Sequence, residues 1–516
     1  MYFTNPVASF LTTLLAFFAV LALIHIALTT VYLFYTFFHS PIRHIPGPRY
    51  TLITHYPLKY HILTGRRMYH IHALHARYGP IVRISPSEVA VASPEGFAAI
   101  HRIGSGFLKS AWYEESTRPD GGESSIFAMS DPRQHAQRRR LLARVFTKQS
   151  LRADWEVVVR EKVERAVDRI QTEAAGGGRS DVLKWWTMMT TDTIAHLAFG
   201  ESFNMLEIGE KNDYVKALEL ISIQNTMRYE LPLLHFLQRL VPFKSRQGPP
   251  DAQHVLKVYG KKAVANVRKH SGDRPNLFGR MIEASEAGEK QWLTEEVVES
   301  EAKSMIIGGS DTTSVTLTYL VWAVLKRPEL RARLEEEVDA VGAGFDDAVL
   351  EKLPLLNAVI DETLRLYGAA PGQLQRVVPP KGITIGGYYI PNDYTVETQA
   401  YTLHRDPEVW SDPYRFDETR FLDHSKLTPQ QKLLFSPFGA GSRICLGIEL
   451  ARMEMRLATT VLFRRCKGLR LAPGTTDETM EMENFFMINP RGHKYSPQTA
   501  IEVTQLVIPK KPTFRG

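Results

Sequence analysis

The sequence predicts a mainly α protein with a small β-sheet region, preceded by an N-terminal transmembrane helix. Helical periodicity dominates the chain beyond its first 42 residues. Those first 42 residues contain no Asp, Glu, Lys or Arg. Strand-like patterns are few and short, at 80–85, 88–93 and 383–390, and the last of them turns at Gly386-Gly387 as a hairpin.

The charge-free N-terminus is long enough to span a bilayer. Its apolar run at about residues 7–38 exceeds the roughly 20 residues that a transmembrane helix needs. It also lacks the charged start and short apolar core of a cleaved signal peptide. We therefore expect an uncleaved anchor at 1–42, a Pro-rich hinge at 44–49 and one domain at 43–516. A buried core helix is the alternative.

The net charge of +7 arises beside this anchor. Residues 43–87 hold seven Lys and Arg and no acidic residue, and the other 56 basic residues equal the 56 acidic residues in number. Basic residues beside a span mark its cytoplasmic side, so we expect a single-pass protein with a cytosolic domain. Nucleic-acid binding is not expected, because it needs a basic face within the domain.

One of only two cysteines lies in the segment FSPFGAGSRICLGIELA, at Cys445. A thiolate can ligate haem iron, and nearby backbone N–H groups and a helix N-terminus would favour its charged form. Glycines would let the backbone approach the sulfur, an aromatic ring would pack beside it, and an arginine would pair with a haem propionate. The residues suited to these tasks are Gly439, Gly441, Gly447, Phe438 and Arg443.

Other metal chemistry is not expected. Structural zinc needs several close Cys or His ligands, and the sequence near Cys445 has no second one. Cys466 lacks the glycine-rich context and is expected to be structural. His70, His72 and His75 are expected to belong to a short amphipathic helix.

A second segment, EAKSMIIGGSDTTSVTLTYL, predicts a long helix from Thr294, its N-cap, to Lys326. Gly308-Gly309 in its middle costs on the order of 1 kcal/mol per glycine relative to alanine. We therefore expect a flat ligand or a water to approach the backbone there. Asp311 and Thr312 follow at once, and a carboxyl beside a hydroxyl is suited to proton delivery.

A third segment places Glu362 and Arg365 three residues apart on one helix face. Such pairs are common on protein surfaces and contribute little there. Here Leu, Val and Ile residues surround the pair, which predicts burial. A buried ion pair needs further hydrogen-bonding partners.

Taken together, these segments resemble the cytochrome P-450 family. FSPFGAGSRICLG is similar to its cysteine-ligand loop, GGSDTT to its oxygen-activation motif and ETLR to its Glu-x-x-Arg pair. The segments follow the family's order over nearly all of residues 45–510. The chain looks most like membrane-bound, microsomal-type members from fungal secondary metabolism.

The resemblance implies that haem b is bound through Cys445 as axial iron ligand, with His135, Arg139 and Arg376 as propionate partners. His135 stands where the family often has Trp, and Arg138 and Arg140 are expected to be solvated neighbours. Asp311 and Thr312 would deliver protons to bound O₂. Arg420, from DETRF where the family often has Pro-Glu-Arg-Phe, would complete a scaffold triad with Glu362 and Arg365.

The resemblance also implies a separate electron donor. The sequence carries no Gly-x-Gly-x-x-Gly after a strand and no flavin-binding segment, so we expect NADPH-derived electrons from the NADPH-cytochrome reductase of the endoplasmic reticulum membrane. A basic surface near the cysteine loop would suit an acidic partner. Its candidate residues, for which a solvated helix face is the alternative, are Arg443, Arg452, Arg456, Arg464, Arg465 and Lys467.

The expected substrate is a bulky lipophilic small molecule, such as a terpenoid or polyketide, which would be hydroxylated or epoxidised. The apolar segment 231–243 is either a membrane-dipping lip for such a ligand or part of the core. The expected pocket walls are apolar, and they comprise Phe127, Met305, Ile306, Ala369, Ala370, Leu374, Phe485 and Phe486.

Two alternatives from other functional classes are open. A haem-thiolate isomerase or dehydratase would use the same fold without O₂ or a reductase, but such enzymes tend to lack the acid–alcohol pair. A non-catalytic haem-binding protein would not need that pair. The sequence does not predict the substrate's identity, the regiochemistry, the number of oxidation steps or the oligomeric state.

Overall fold

The computed structural model describes residues 6–117, 122–233, 236, 255, 258, 294–492 and 505–507. In these residues helices predominate and the strands are short, so the predicted fold class is confirmed. The helices are α1 (Pro6–His39), α2 (Tyr56–Leu63), α3 (Arg67–Tyr78), α4 (Pro94–His101), α5 (Ala111–Thr117), α6 (Pro132–Leu142), α7 (Lys148–Ser150), α8 (Glu156–Gly177), α9 (Val182–Phe199), α10 (Met205–Ile208), α11 (Asp213–Glu230), α12 (Glu295–Leu325), α13 (Pro328–Asp339), α14 (Asp347–Leu350), α15 (Pro354–Tyr367), α16 (Ala400–Leu403), α17 (Pro429–Leu434) and α18 (Ile448–Arg465).

Short irregular helices join several of these elements. A π-helical segment leads into α8, and 3₁₀ turns lie at the end of the segment 44–49, around and after Arg420, and within the cysteine loop. Their bounds are Leu151–Trp155 for the π-helix and Arg49–Leu52, Glu418–Phe421, His424–Lys426 and Gly441–Arg443 for the 3₁₀ turns.

The described strands form one five-stranded sheet and three smaller ones. The larger sheet has the order β1-β2-β8-β5-β3, in which only the β2–β8 pair is parallel. The others are the hairpins β6-β7 and β10-β11 and the sheet β4-β12-β9. The strands are β1 (Ile81–Ser85), β2 (Glu88–Val91), β3 (Leu108–Lys109), β4 (Ser180–Asp181), β5 (Arg376–Val377), β6 (Ile383–Ile385), β7 (Tyr388–Ile390), β8 (Thr395–Glu397), β9 (Arg470–Leu471), β10 (Met482–Phe485), β11 (Met487–Pro490) and β12 (Gln505–Val507).

Helix α12 runs through the main hydrophobic core, where it packs against α9, α15 and α18. It begins where the sequence predicts, because the Thr294 hydroxyl accepts a hydrogen bond from the Val297 N–H at 3.3 Å. It remains α-helical through Gly308-Gly309. The helix therefore carries the predicted Asp-Thr pair through the centre of the domain.

Helix α1 stands apart from this core. Its segment Phe10–His39 has a mean hydropathy of 2.5 and none of it is buried against the rest of the protein. It is the one helix in the described part of the chain that is long and apolar enough to cross a membrane. The side chains along it that face outward are mostly Leu, Phe, Ile and Val.

The segment 44–49 after α1, which the sequence predicts to be a hinge, is fixed to the domain by the buried side chain of Arg83. This guanidinium donates to the carbonyls of Ile42 at 3.1 Å, Ile45 at 2.8 Å and Pro48 at 3.1 Å, and to the Thr51 hydroxyl at 2.9 Å. The Arg83 guanidinium therefore makes its hydrogen bonds inside the domain, and it is not one of the basic residues after α1 that would face lipid.

Of the apolar segment 231–243, only 231–233 and 236 lie within the described residues. The side chains of Leu233 and Phe236 are exposed there. The rest of that segment lies outside the described residues.

Candidate active site

The cysteine loop lies between α17 and α18, and its shape depends on glycine. Gly441 has φ of +66°, and a Cβ there would meet the His101 carbonyl oxygen at 1.9 Å, so no side chain fits. Gly439 has φ of +75°, but a Cβ there would meet nothing within 4 Å. The loop is closed by a 2.9 Å hydrogen bond from the Cys445 N–H to the Phe438 carbonyl.

The thiol of Cys445 lies deep in the domain and yet is accessible. Burial raises the pKa of this thiol, while a hydrogen bond from the Gly447 N–H and the nearby Arg139 guanidinium lower it. The side chain is nevertheless exposed, whereas Cys466, the other free cysteine, is packed in the core. A sulfur that is both deep and accessible borders an interior space, which a haem thiolate ligand requires.

Two arginines frame the loop on either side of the cysteine. Arg139 of α6 donates to the Ile444 carbonyl at 2.7 Å. Arg443 donates to the carbonyls of Met129 at 2.8 Å and Ser130 at 2.7 Å. Burial and then the neighbouring charge of Arg376 lower the pKa of Arg443 to about 10.

The arginines belong to a cluster of like charges that needs an anion. Burial, followed by Arg443 and Lys109, lowers the pKa of His135 to about 3, so this buried imidazole is neutral. Among the described residues the nearby carboxylate is that of Asp131, which is exposed and caps α6. Two haem propionates are carboxylates of the kind this cluster lacks, so the residues present fit haem b.

Sequence reasoning missed Lys109, which no motif marks. It was wrong about Arg138, which is a buried residue and not a solvated neighbour. Arg138 donates to Glu301 of α12 at 2.6 Å, and the same carboxylate oxygen accepts from the Ile126 N–H at 2.8 Å. Burial raises the pKa of Glu301 to about 7. This contact ties α6 and the segment before it to α12. Arg140 is exposed, as expected.

The two glycines of α12 have different surroundings. A Cβ at Gly308 would meet nothing within 4 Å, which leaves room for a ligand. A Cβ at Gly309 would lie 2.7 Å from the Ile194 side chain of α9. Gly309 therefore allows two helices to pack closely, and only Gly308 faces open space.

The acid and the alcohol follow these glycines on α12. The Thr312 hydroxyl donates to the Gly308 carbonyl at 2.7 Å, within one helical turn. Burial raises the pKa of Asp311 to about 6, and among its neighbours Lys211 lowers this pKa while Glu219 raises it. A carboxyl with such a pKa can take up and release a proton near neutral pH.

A further buried carboxyl touches this segment from α18. Glu454 is fully buried, accepts a hydrogen bond from Thr313, and has its pKa raised by burial to about 8. No motif marks Glu454 in the sequence, where it lies nine residues after Cys445. It connects the helix that follows the cysteine loop to the helix that carries Thr312.

The Glu-x-x-Arg pair is fully buried and bidentate. Arg365 Nε and Nη2 each lie 2.7 Å from a carboxylate oxygen of Glu362. Arg420 Nε lies 3.6 Å from the same carboxylate, so the structure brings together the three residues of the predicted triad. The Arg365 guanidinium also donates to the carbonyls of His404 at 2.6 Å and Pro413 at 2.8 Å.

His404, which the sequence analysis missed, links this pair to the cysteine loop. Its Nε2 accepts from the Ser436 N–H at 3.0 Å, and its Nδ1 lies 2.9 Å from the Arg365 carbonyl. A ring that accepts at Nε2 and donates from Nδ1 is neutral, and burial lowers the pKa of His404 to about 3. The triad therefore reaches the start of the loop through a fixed imidazole.

Aromatic rings gather where the substrate pocket is expected. The Phe127 ring lies 5.5 Å from Phe486 and 5.4 Å from Tyr113, and Phe486 lies 5.5 Å from Trp112. Phe486 forms the tip of the β10–β11 hairpin with φ of +86°, which is rare for a bulky residue. Phe485 does not join this group: its side chain is 52% exposed, and its ring lies next to Gly65.

The other expected wall residues are spread over neighbouring elements. Met305 and Ile306 are buried in the main core on α12. Ala369 packs in a second cluster with Tyr319 and Met482, and Ala370 and Leu374 are partly buried in the segment after α15.

The basic surface near the cysteine loop is weaker than its sequence suggests. Arg456 is buried and lies 2.6 Å from Asp347. Arg452 lies 2.8 Å from Asp361, and Lys467 lies 2.7 Å from Asp339. Arg465 pairs with Asp168, and Arg464 lies over the Phe345 ring at 5.2 Å. Arg456 is therefore unavailable to a partner, and acids balance most of the others.

The fold and this constellation agree with a comparison of the sequence with family models. The model described as Cytochrome P450 matches residues 45–497. The chain belongs to the cytochrome P450 family. The sequence predicts that this P450 binds haem iron as a cofactor, and its membership of the family supports that prediction.

Its relatives from fungi include proteins named as cytochrome P450 monooxygenases and one named as a hydroxylase. It is 40% identical to cytochrome P450 monooxygenase stcB of Emericella nidulans over 87% of each chain. It is also 40% identical to cytochrome P450 monooxygenase tazI of Aspergillus terreus, over 92% of this chain and 96% of the relative. Averantin hydroxylase of Dothistroma septosporum is 30% identical, over 84% of this chain and 82% of the relative. The predicted enzyme class, a cytochrome P450 monooxygenase, is confirmed.

Proposed function

We propose that this P450 hydroxylates or epoxidises a bulky lipophilic small molecule, a terpenoid or polyketide of fungal secondary metabolism. The observation that carries the proposal is the Cys445 thiol, which is deep in the domain yet accessible, with Gly447 N–H and Arg139 beside it. The apolar and aromatic residues around Phe127 and Phe486 support a lipophilic substrate. The name of one relative, averantin hydroxylase, supports hydroxylation.

Haem b, when bound, supplies dioxygen activation and the transfer of one oxygen atom to carbon. The chain's own residues would hold and tune it. Cys445 would hold the haem iron through its sulfur, and the Gly447 N–H and Arg139 would favour its thiolate form, because both lower the pKa of the thiol. His135, Arg139, Arg376 and Arg443 would face the propionates.

Side chains of α12 would deliver protons to the site of oxygen activation. The Thr312 hydroxyl, now bound to the Gly308 carbonyl, can hold a proton at the open side of the helix. The Asp311 carboxyl, with a pKa of about 6, can pass a proton inward from the Lys211 and Glu219 side. Glu362, Arg365 and Arg420 would brace the cysteine loop and take no part in the chemistry.

The proposed location in the cell rests on the distribution of charge along the N-terminal sequence: residues 1–42 carry no charged side chain, and residues 43–87 carry only basic ones. Residues 1–42 would be a single-pass anchor in the endoplasmic reticulum membrane, and 43–516 a single cytosolic domain joined to it at 44–49. NADPH-cytochrome reductase would supply the electrons. The acids beside Arg452, Arg465 and Lys467 leave only a modest basic surface for its docking.

The test is turnover of full-length protein with NADPH-cytochrome reductase and a panel of terpenoids and polyketides under ¹⁸O₂. We expect a product that carries one ¹⁸O atom and that forms only with NADPH. Thr312→Ala should keep NADPH consumption but lower product formed per NADPH, because proton delivery is impaired. A product that forms without NADPH, or that carries no ¹⁸O atom, would instead support a haem-thiolate isomerase or dehydratase and overturn the proposal.

A further inference from the structure

Phe486 has a strained backbone conformation at the tip of the β10–β11 hairpin. The register pairs Phe485 with Met487, so Phe486 alone forms the tip. Its φ of +86° lies in the left-handed region, which is unfavourable for a bulky side chain. In the described part of the chain, every other non-glycine residue with positive φ is Asn or Asp, whose short side chains tolerate it. A specific contact must therefore hold Phe486 in this conformation.

The side chain of Asn484 makes that contact. Its Nδ2 donates to the Phe486 carbonyl at 3.0 Å, and its backbone N–H donates to the Gly65 carbonyl at 2.8 Å. Asn484 is only 3% exposed, and burying an amide costs free energy unless it is hydrogen-bonded. The hydrogen bond to Phe486 fixes the peptide group that follows the tip, which keeps the backbone there from relaxing to negative φ.

Asn484 also lies against a second wall of the expected substrate pocket. A Cβ at Gly372 would lie 3.0 Å from the Asn484 side-chain oxygen, so the chain after α15 packs directly on this amide. The Ile488 N–H of the hairpin donates to the Ala369 carbonyl at 2.8 Å. Three of the expected wall residues belong to this segment, 369–374. Asn484 therefore connects the hairpin tip to a neighbouring wall of the pocket.

The strained tip places the Phe486 ring against aromatic residues from another part of the chain. The ring lies 5.5 Å from Phe127 and 5.5 Å from Trp112. We propose that Asn484 is a positioning residue for the substrate: by holding the hairpin tip, it fixes the Phe486 ring beside Phe127 and so sets the size of ligand that the pocket accepts. This inference rests on the proposed function, in which these aromatic residues line the substrate pocket.

A purely structural role for Asn484 predicts a different outcome. An amide that only stabilises the hairpin would affect unfolding but would leave the selectivity for ligand size unchanged. This selectivity is measured as the ratio of the dissociation constants of clotrimazole and imidazole. Both compounds bind haem iron through an imidazole nitrogen, and only clotrimazole carries bulky aryl groups that contact the pocket walls. A change at the iron therefore cancels in the ratio.

The experiment compares full-length holoenzymes of wild type, Asn484→Leu, Phe486→Ala and the double variant. Asn484→Leu keeps the size of the side chain and removes the donor, and Asn484→Asp keeps the shape but has no amide N–H. Asn489→Leu is the matched control, because Asn489 is a partly buried asparagine of the same hairpin that pairs with Glu483 away from the tip. Optical difference spectra give both dissociation constants, and urea unfolding gives the stability of each variant.

We expect Phe486→Ala to weaken clotrimazole binding about tenfold relative to imidazole binding, because apolar contact area is lost. Asn484→Leu and Asn484→Asp should change the ratio several-fold in the same direction, and Asn489→Leu should keep the wild-type ratio. The double variant should have the ratio of Phe486→Ala alone, because Asn484 acts through this ring. If Asn484→Leu yields no holoenzyme, Asn484→Asp decides.

A wild-type ratio in Asn484→Asp would overturn the inference and leave the proposed function intact. An effect of Asn484→Leu that is undiminished in the Phe486→Ala background would overturn it as well. A wild-type protein that binds neither azole at haem iron would instead remove the proposed function on which the inference rests. The failures are therefore distinguishable.

Discussion

At the scale of single residues, Gly441 is the glycine of the cysteine loop that tolerates a side chain least. Its neighbour Gly439 also has positive φ, but only Gly441 lies against backbone, at the His101 carbonyl. Because that carbonyl belongs to helix α4 and cannot simply rotate away, a Cβ at Gly441 must displace the loop.

We predict that Gly441→Ala abolishes stable haem incorporation, whereas Gly439→Ala costs only about 1–2 kcal/mol of backbone strain. The measurement is haem content per protein for the two purified variants. Equal haem content in the two would show that the contact with His101 does not shape the loop.

A second residue-scale prediction concerns Glu454, whose pKa burial raises from 4.5 to about 8. At a pH between these two values, the Glu454 carboxyl is protonated in the folded protein and ionised in the unfolded chain. Its contribution to stability is therefore full below pH 4.5 and declines as the pH rises toward 8. The free energy of unfolding should fall by at most about 1.4 kcal/mol per pH unit from this group.

Glu454→Gln should flatten that decline, while Glu449→Gln, on the same helix but half-exposed, should not. Urea unfolding of the holoenzymes at about pH 5.5 and about pH 8 measures the difference. A decline of the same steepness in Glu454→Gln would mean that another group is responsible.

At the scale of elements, the α9–α12 contact depends on one glycine of the pair. Gly309→Ala should destabilise the protein, because its Cβ would lie 2.7 Å from the Ile194 side chain. Gly308→Ala should be tolerated or stabilising by up to about 1 kcal/mol, because alanine favours the helix and the space is open.

Urea unfolding of both variants, with Ile194→Ala added to each, tests this prediction. The Ile194 change should partly rescue Gly309→Ala and should give no rescue of Gly308→Ala. Rescue of both or of neither would contradict a local clash.

The sequence predicted elements better than it predicted contacts. Helix α12 begins at its expected N-cap because Thr294 signals the start locally. The cysteine loop and the Glu362–Arg365 pair were also recognisable, since each is encoded within a short segment. Three features were not: the burial of Arg138 against Glu301, the pairing of Lys109 with Arg376, and the packing of Gly309 on Ile194. Each depends on a partner more than 100 residues away.

At the scale of the whole molecule, Arg83 controls how helix α1 joins the domain. It donates to a carbonyl before the segment 44–49, to carbonyls within it and to the Thr51 hydroxyl after it, so this segment is not a free linker. Arg83→Met should therefore increase tryptic cleavage at Arg43 and Arg49 several-fold in vesicle-bound protein, because released backbone becomes accessible.

Arg77→Met is the control for that experiment, since Arg77 is exposed on α3. The rate of cleavage is followed by the release of the domain from the vesicles. Cleavage of Arg83→Met at the rate of the Arg77→Met control would contradict a clamped hinge.

The central claim, that Cys445 is the thiolate ligand of haem iron, is tested most directly by the carbon monoxide difference spectrum of the dithionite-reduced protein. Cys445→Ala is compared with wild type, and Cys466→Ala serves as control because Cys466 is a free cysteine packed in the core. We predict a strongly red-shifted Soret band in wild type and Cys466→Ala that is lost in Cys445→Ala. An unshifted band in the wild type, or a red-shifted band that survives Cys445→Ala, would contradict the account.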